Sequence, residues 1–281
     1  MTNPRRVAVP HLRYGEPLQR MIRTIQPEHL TGRLVILPAL NLPAVRAATR
    51  VSPVDGRNLN RTYPGALRGD ATQQIAYAVT ERLLPSADYA LDLHSGGSAS
   101  FYLPSAYVYQ GPNPDMFRRK KAAAELLGLP WSIQVVPRQG PSTFSAAADN
   151  AGVCMIATEL AGGGMLTSAL IDRLSQGLSR LLVGWGVLKA EFGPPDLGGT
   201  QWIRFDEDST IYTPVRGLFE PECRLGDHLS SGERVGWIYP FEELNEPARP
   251  VAAPRDGIVT ILRRPPLVDL GDALFTLASE V

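Results

Sequence analysis

The chain has 281 residues, of which 44% are hydrophobic and 20% are charged, a composition typical of globular proteins. Its 28 lysines and arginines balance 28 aspartates and glutamates, which argues against nucleic acid or an anionic membrane surface as the main partner. A chain of this length can bury a large core and can hold two domains.

Cysteine usage and the absence of targeting signals indicate the compartment. Cys154 and Cys223 lie far apart in the sequence, so no disulfide framework is indicated and a reducing compartment is favoured. No apolar stretch reaches the roughly 18 residues of a membrane-spanning helix, and no apolar run follows the N-terminal arginines as a signal peptide requires. We expect a cytoplasmic protein without a membrane partner. The sequence leaves homo-oligomerisation open.

Strands and helices alternate over the first two thirds of the chain. Short apolar runs predict buried strands, and apolar residues spaced three or four apart predict helices. The predicted strands are 33–40, 89–94, 132–136 and 153–160, and the predicted helices are 70–84, 113–128 and 165–192. Such alternation predicts an α/β fold with a parallel or mixed sheet flanked by helices. The basic run 118–121 is interpreted as a solvated helix face.

The pattern changes at the Gly- and Pro-rich segment 193–199, and no long helical pattern follows it. Residues 216–229 and 256–274 weakly echo each other as strand, Gly-Asp turn and strand, a pattern typical of small barrels that carry lipoyl or biotinyl groups. A carrier role does not fit this chain, because residues 190–281 contain no lysine to which the cofactor could be attached. We predict an α/β domain over residues 1–195 and a β-rich, barrel-like accessory domain over 196–281.

A histidine ends the second predicted strand. His94 is followed by a serine and two glycines, and a neutral imidazole at a strand end can reach a metal. Asp92 points to the same side of the strand as His94, where it would orient the imidazole or lie beside the metal. The alternative is a structural histidine, which would be the better interpretation if His94 stood alone.

A glutamate lies at the end of the last predicted strand. A carboxylate buried there costs free energy unless it is paired or functional. Glu159 is suited to act as a general base that takes a proton from a metal-bound water; the alternative is an exposed glutamate. Because parallel strands present their carboxyl ends at one edge of a sheet, we expect His94 and Glu159 to be neighbours.

Polar binding groups lie in a loop rich in Pro, Asp, Gly and Asn. Arg50, Asn60 and Arg61 fall within twelve residues of one another. An arginine offers a planar fork that binds a carboxylate through two hydrogen bonds. The loop therefore suits a small acidic or zwitterionic substrate. The alternative is turn chemistry alone, since Asp55-Gly56 is a turn signal in its own right.

Taken together, these segments resemble the succinylglutamate desuccinylase/aspartoacylase family. The motifs are the run 32–41, Asp55-Gly-Arg-Asn-Leu-Asn-Arg61, Asp92-Leu-His94-Ser-Gly-Gly and Thr158-Glu159-Leu160. The resemblance extends from about residue 20 over nearly the whole chain. Within the family, the likeness is closest to the N-acetyl-diaminobutyrate deacetylase branch.

The resemblance implies a fold, a cofactor and roles for the site residues. The fold is a zinc carboxypeptidase-like α/β domain followed by a β-rich domain, and the cofactor is Zn²⁺. By resemblance, His94 is a zinc ligand, Glu159 is the general base, and Arg50, Asn60 and Arg61 face the substrate.

The family's first zinc motif is absent. That motif reads His-Gly-(Asp/Asn)-Glu and supplies two of three protein ligands, whereas this chain has His11 and Glu16, five apart rather than three. We expect N-terminal core strands to be missing with it. Three explanations are open: a shortened version of an active enzyme, favoured by the onset of resemblance near Arg20; a degenerate member that binds without catalysis; or His11 and Glu16 as substitute ligands. The first two predict weak zinc binding and little activity.

The expected function is zinc-dependent hydrolysis of the amide bond of an N-acyl amino acid. One alternative is a zinc carboxypeptidase acting on peptides, and another is a non-catalytic amino-acid-binding member of the family. The expected partner is a small molecule, not nucleic acid or a membrane.

Overall fold

A computed structural model describes residues 5–10, 16–136, 142–163, 166–242 and 245–281, with the backbone alone for 8–10 and 16–17. The helices are α1 (Glu16–Thr24), α2 (Leu42–Ala47), α3 (Ala71–Ala78), α4 (Pro114–Leu127), α5 (Phe144–Asn150) and α6 (Ser168–Gly184). The strands are β1 (Arg6–Pro10), β2 (Arg33–Leu37), β3 (Tyr89–His94), β4 (Ser100–Tyr109), β5 (Trp131–Val135), β6 (Cys154–Gly162), β7 (Gln201–Arg204), β8 (Thr210–Tyr212), β9 (Gly217–Pro221), β10 (His228–Leu229), β11 (Arg234–Tyr239), β12 (Arg249–Ala252), β13 (Gly257–Arg263), β14 (Leu267–Val268) and β15 (Ala273–Glu280).

A mixed sheet runs through the whole molecule. Strands β2, β1, β3 and β6 lie side by side in parallel. Strand β4 then runs antiparallel to β6, and β5 and β7 follow it in parallel with β4. This architecture confirms the mixed α/β sheet predicted from the alternating apolar runs.

Helices cover both faces of this sheet. Leu91 and Leu93 of β3 pack with α1, α4 and α6 in one buried cluster. Ala90, in the alternate position, packs in a second cluster with α3 and α5. Side chains of a strand alternate between faces, so Asp92 and His94 share the face of Ala90, on the side of α3 and α5. The same alternation places Glu159 on that face, with Met155 and Ala157.

The N-terminal strand β1 lies inside the sheet. It pairs with β2 through Val7↔Leu34 and with β3 through Val7↔Tyr89, and Val7 is almost fully buried. The expectation that N-terminal core strands are missing is therefore wrong for this strand. Its apolar run spans only Val7-Ala-Val9 between arginines and a proline, too short to predict a strand by itself.

Strand β4 was not predicted from the sequence either. Pro104 lies in its middle, and proline is unfavourable inside a sheet because it cannot donate a backbone hydrogen bond. The structure accommodates it with a register shift against β6 between Tyr102 and Ser105. The strand then continues to Tyr109 and places aromatic side chains next to β6.

The C-terminal region is β-rich, as predicted, and it is joined to the α/β sheet. Strand β7 pairs with β5, and β13 pairs with the first half of β4 through Ile261↔Tyr102. Strands β12, β11, β9 and β14 form a second sheet over a separate buried cluster. The region beyond residue 195 therefore shares backbone hydrogen bonds with β4 and β5 of the α/β sheet.

The basic run 118–121 is not a solvated face throughout. Lys120 is fully buried, and its Nζ donates to Asp149 Oδ1 at 2.5 Å. Lys121 Nζ lies 4.6 Å from the centre of the Trp202 ring. The interpretation was wrong for Lys120 because the long lysine stem can be buried when its ammonium group finds an acceptor.

The last long helix is shorter than predicted but passes through Gly177 without interruption. Helix α6 ends at Gly184, and a short 3₁₀ turn follows at Ala190–Phe192. Gly177 is needed for close packing, since a Cβ there would lie 2.1 Å from the backbone oxygen of Leu127. Within the described residues, no helix combines the length and apolar character that crossing a bilayer requires.

We predict that Gly177→Ala lowers the free energy of unfolding by about 2 kcal/mol, although alanine is the better helix former by about 1 kcal/mol. The added methyl group must push α6 away from the end of α4. Gln176→Ala, at the exposed neighbouring position, is the matched control and is expected to be neutral or slightly stabilising. Urea denaturation of both variants measures the difference, and equal stability would contradict the close packing.

Candidate functional site

The pairing of β3 with β6 sets the centre of the site. The two strands are parallel and in register from Tyr89↔Cys154 to His94↔Glu159, so His94 and Glu159 lie directly opposite each other on neighbouring strands. This confirms that the two residues share one edge of the sheet. Strand β3 ends at His94, whereas β6 continues to Gly162 against β4.

His94 is paired with a buried carboxylate. Its Nε2 lies 2.6 Å from Asp92 Oδ2, and the imidazole is 18% exposed. Burial lowers the pKa of His94, but the Asp92 carboxylate and the hydrogen bond to it outweigh that effect and raise the pKa to about 9. In this arrangement Asp92 fixes the orientation of the ring and favours its protonated form.

Glu159 faces the cavity with its carboxylate largely out of water. Burial raises the pKa of Glu159 and nearby Asp92 adds to this, while His94 and Arg50 lower it, and the resulting value is about 7. Oε2 of Glu159 is buried and accepts no hydrogen bond from the described residues. A carboxylate that is half protonated near neutral pH can both accept and return a proton.

The loop that carries the binding candidates is pinned to helix α3. Asp55 accepts hydrogen bonds from the backbone N–H of Thr72 at 2.7 Å, from the Thr72 hydroxyl at 2.9 Å and from the backbone N–H of Arg57 at 3.1 Å. Arg57 in turn pairs with Asp70, the residue that caps α3. Asp55 is therefore a structural residue that fixes the shape of the loop.

Within the part of the chain that the structure describes, the Asn60 side-chain oxygen has a hydrogen-bond partner and its NH₂ group has none. Its Oδ1 accepts a hydrogen bond from the backbone N–H of Phe144 at 2.8 Å, at the start of α5, which leaves its NH₂ group as a donor. Arg61 donates from Nη1 to the Asn60 backbone oxygen at 2.7 Å, and its side chain is exposed. Arg50 is also exposed, and it is close enough to influence the pKa of both His94 and Glu159.

One cavity of about 970 Å³ collects all the predicted site residues. Its lining includes Arg50, Asn60, Arg61, His94 and Glu159. The structure thus brings together side chains from the loop and from two strands. Their chemical roles remain predictions.

The sequence analysis did not predict two further groups of residues that line this cavity. Tyr102 and Tyr109 line it from β4, and the burial of Tyr102 raises its pKa to about 12, with Glu159 adding to the shift. Phe205, Asp208 and Tyr212 line it from the C-terminal region. The aromatic residues of segment 100–109 were a usable signal, but no motif marked the C-terminal residues.

The described residues do not complete a zinc site. Among them, no three His, Cys, Asp or Glu side chains are grouped closely enough to hold a metal ion, whereas a catalytic zinc takes three protein ligands. His94 is the histidine that the described cavity lining offers, and its Nε2 is engaged by Asp92. His11 and the side chain of Glu16, which one of the three open explanations makes substitute ligands, lie outside what the structure describes.

With the site in place, comparison with known proteins defines the class. The sequence profile of the succinylglutamate desuccinylase/aspartoacylase catalytic domain matches residues 16–184. The chain belongs to this family.

Individual relatives cover nearly the whole chain. It is 31% identical over 264 residues to the N-alpha-acetyl-L-2,4-diaminobutyric acid deacetylase of Halomonas elongata, covering 94% of this chain and 77% of that protein. A crystal structure of a succinylglutamate desuccinylase from Silicibacter sp. TM1040 superposes with a TM-score of 0.93 at 29% identity, covering 99% and 86% of the two chains. The product-bound ectoine utilization protein EutE (DoeB) of Ruegeria pomeroyi gives 0.92 at 30% identity, with the same coverage.

We predict that Asp55→Asn lowers the free energy of unfolding by about 1 kcal/mol at pH 7, since an amide cannot accept all three hydrogen bonds. Burial alone would raise the pKa of Asp55, but the bonds from Thr72 and Arg57 lower it below its usual value.

The pH dependence of this loss follows from the lowered pKa. The contribution of Asp55 is fully present above the unfolded-state pKa of about 3.9 and disappears as the pH falls through the lower folded value. The gap in stability between the parent and Asp55→Asn should therefore close below about pH 4. Glu191→Gln, an exposed carboxylate, is the control, and a gap that persists at low pH would contradict the proposed bonding.

Proposed function

We propose that this protein hydrolyses the amide bond of an N-acyl amino acid. The observation that carries the proposal is the cavity lined by Glu159, whose Oε2 is buried, by His94, which is paired with Asp92, and by the exposed Arg50 and Arg61. The family membership supports it, as does the similarity to a protein named as a deacetylase of N-alpha-acetyl-L-2,4-diaminobutyric acid.

The loop that carries Arg50, Asn60 and Arg61 is suited to bind the carboxylate of a substrate. Arg50 and Arg61 line the cavity and are exposed, and the Asn60 NH₂ group has no hydrogen-bond partner among the described residues. A substrate carboxylate held by two parallel N–H bonds from an arginine would be fixed in both position and direction. Its acyl group would then extend toward β3 and β6.

The cavity wall from the C-terminal region suits a cationic substituent. Asp208 is an exposed carboxylate on the C-terminal wall of the cavity, and the half-exposed aromatic ring of Tyr212 lies on the same wall. A carboxylate and an aromatic face both attract an ammonium group. N-acetyl-L-2,4-diaminobutyric acid carries such a group, and it is therefore the first substrate to assay.

Glu159 is assigned the proton transfers. As a carboxylate it takes a proton from a water molecule whose oxygen attacks the acyl carbon. As a carboxylic acid it then gives that proton to the amine nitrogen when the C–N bond breaks. The products are the free acid of the acyl group and the free amino acid. A pKa of about 7 allows Glu159 to serve in both forms at neutral pH.

Zinc is the proposed cofactor on the strength of the family membership, with His94 as one of its ligands. Because the described residues do not complete the site, zinc enters none of the steps above. The metal content of the purified protein distinguishes a zinc enzyme from a non-catalytic amino-acid-binding protein. Bound zinc that is lost in His94→Ala supports the enzyme, whereas retained amino-acid binding without zinc supports a non-catalytic binding protein.

We predict that Glu159→Gln reduces kcat for N-acetyl-L-2,4-diaminobutyric acid at least about 100-fold while KM changes little, since only the proton transfer is lost. Release of free amine measures the rate. Glu125→Gln, an exposed position on α4, is the matched control. The carboxypeptidase alternative is tested by assaying N-terminally blocked dipeptides in parallel. Full activity of Glu159→Gln would show that Glu159 takes no part in the mechanism.

We further predict that Arg61→Lys weakens substrate binding about tenfold despite keeping the charge, because a point charge cannot reproduce a two-bond grip. The measurement compares the affinity for an N-acetyl amino acid with that for its carboxamide. The parent should prefer the acid strongly, and Arg61→Lys should lose most of this preference. Arg57→Lys, whose partner is Asp70, is the control. An unchanged preference would make Arg61 a structural residue only.

A further inference from the structure

Helix α5 connects the loop that carries Arg50, Asn60 and Arg61 with the interior of the α/β region. At its start, the backbone N–H of Phe144 donates to Asn60 Oδ1, and the Phe144 ring packs against Tyr63, with ring centres 5.5 Å apart. Both rings are buried. Near its end, Asp149 accepts a hydrogen bond from Lys120. One short helix therefore touches the loop at one end and a buried cation at the other.

The buried cation is held tightly. The Lys120 side chain is 1% exposed and that of Asp149 is 18% exposed. Lys120 Nζ also donates to the backbone oxygen of Tyr109 at 3.1 Å, and the Tyr109 side chain lines the cavity. Gly111 packs against the same carboxylate, since a Cβ there would lie 2.8 Å from Asp149 Oδ2. The Asp149 carboxylate thus contacts the Lys120 ammonium group and lies against Gly111.

We propose that Lys120 is a positioning residue for substrate binding, acting through Asp149 and helix α5 on Asn60. A helix of seven residues is too short to be stable alone, so its location depends on its tertiary contacts. Among the described residues, Phe144 contacts the loop through one backbone hydrogen bond to Asn60 and through ring packing against Tyr63. Releasing the Asp149 end would let α5 shift and would turn Asn60 away from its place beside Arg61.

This proposal rests on the proposed function in one respect, namely that Asn60 contacts the substrate. It differs from a purely stabilising ion pair in what it predicts. A stabilising pair changes the free energy of unfolding and leaves the affinity of the folded protein unchanged. A positioning pair weakens substrate binding in protein that is still folded, and only while Asn60 is present.

The test uses Lys120→Met on the full chain. The dissociation constant of N-acetyl-L-2,4-diaminobutyric acid is measured by calorimetry in the Glu159→Gln background, where turnover is expected to be at least about 100-fold slower. We expect binding to weaken about tenfold, the size of a lost hydrogen bond to a charged group. The control is Arg118→Met, which removes the exposed Arg118–Asp115 pair on the same helix and should leave binding unchanged.

A double-mutant cycle with Asn60→Ala locates the effect. In the Asn60→Ala background, Lys120→Met should weaken binding no further. An equal loss in both backgrounds, or unchanged binding by folded Lys120→Met, would overturn the proposal.

The position of Asn60 can also be followed directly by NMR. The side-chain amide signal of Asn60 in a ¹⁵N-labelled sample, assigned by its loss in Asn60→Ala, should shift in Lys120→Met but not in Arg118→Met. This readout needs no ligand, so it tests the positioning even if the N-acyl amino acid fails to bind and the proposed function is wrong.

Loss of one partner from a buried pair can prevent folding, so a second variant is included. Gly111→Ala keeps both charges and displaces the Asp149 carboxylate by steric contact. It should reproduce the shift of the Asn60 signal and the weaker binding. A folded Gly111→Ala with an unmoved Asn60 signal would overturn the proposal.

Discussion

The in-register pairing of β3 with β6 is the constraint on which the site depends. A slip of one residue in either strand would turn its side chains to the opposite face, and Asp92, His94 and Glu159 would no longer meet. The apolar side chains that pack against α1, α4 and α6 prevent such a slip, because they would have to exchange places with the site residues. Core packing therefore fixes the distance between the imidazole and the carboxylate, and it also supplies the burial that raises the pKa of Glu159 to about 7.

The binding side of the cavity is built differently, from a loop held by polar contacts. Asp55 ties the loop to α3, and Asn60 ties it to α5, so the exposed arginines stand on a frame of hydrogen bonds. Such a frame positions long side chains without burying them, so that their guanidinium groups stay exposed to the cavity. The third wall comes from the C-terminal region, whose strands join the sheet through β5 and β4. A substrate in this cavity would thus contact parts of the chain far apart in sequence.

The sequence was most informative where one physical signal dominated. Apolar runs located β2, β3, β5 and β6, and the positions of His94 and Glu159 at strand ends were enough to predict that they are neighbours. Prediction failed where signals conflicted or were weak. Strand β4 was not predicted because it contains Pro104, and β1 was not predicted because its apolar run has only three residues. Lys120 was predicted to be solvated because it is charged, and its acceptor, Asp149, lies on another helix. Phe205, Asp208 and Tyr212 reach the cavity through long-range sheet pairing, which no local pattern encodes.

The central claim is that one cavity binds an N-acyl amino acid with its carboxylate at the loop and its amide beside β6. A crystal structure of the Glu159→Gln variant soaked with N-acetyl-L-2,4-diaminobutyric acid tests this most directly. We expect the carboxylate within hydrogen-bond distance of Arg50 or Arg61, and the acyl carbon next to the side chain at position 159. A ligand bound elsewhere, or one reversed so that its carboxylate lies against β6 and away from both arginines, would contradict the account.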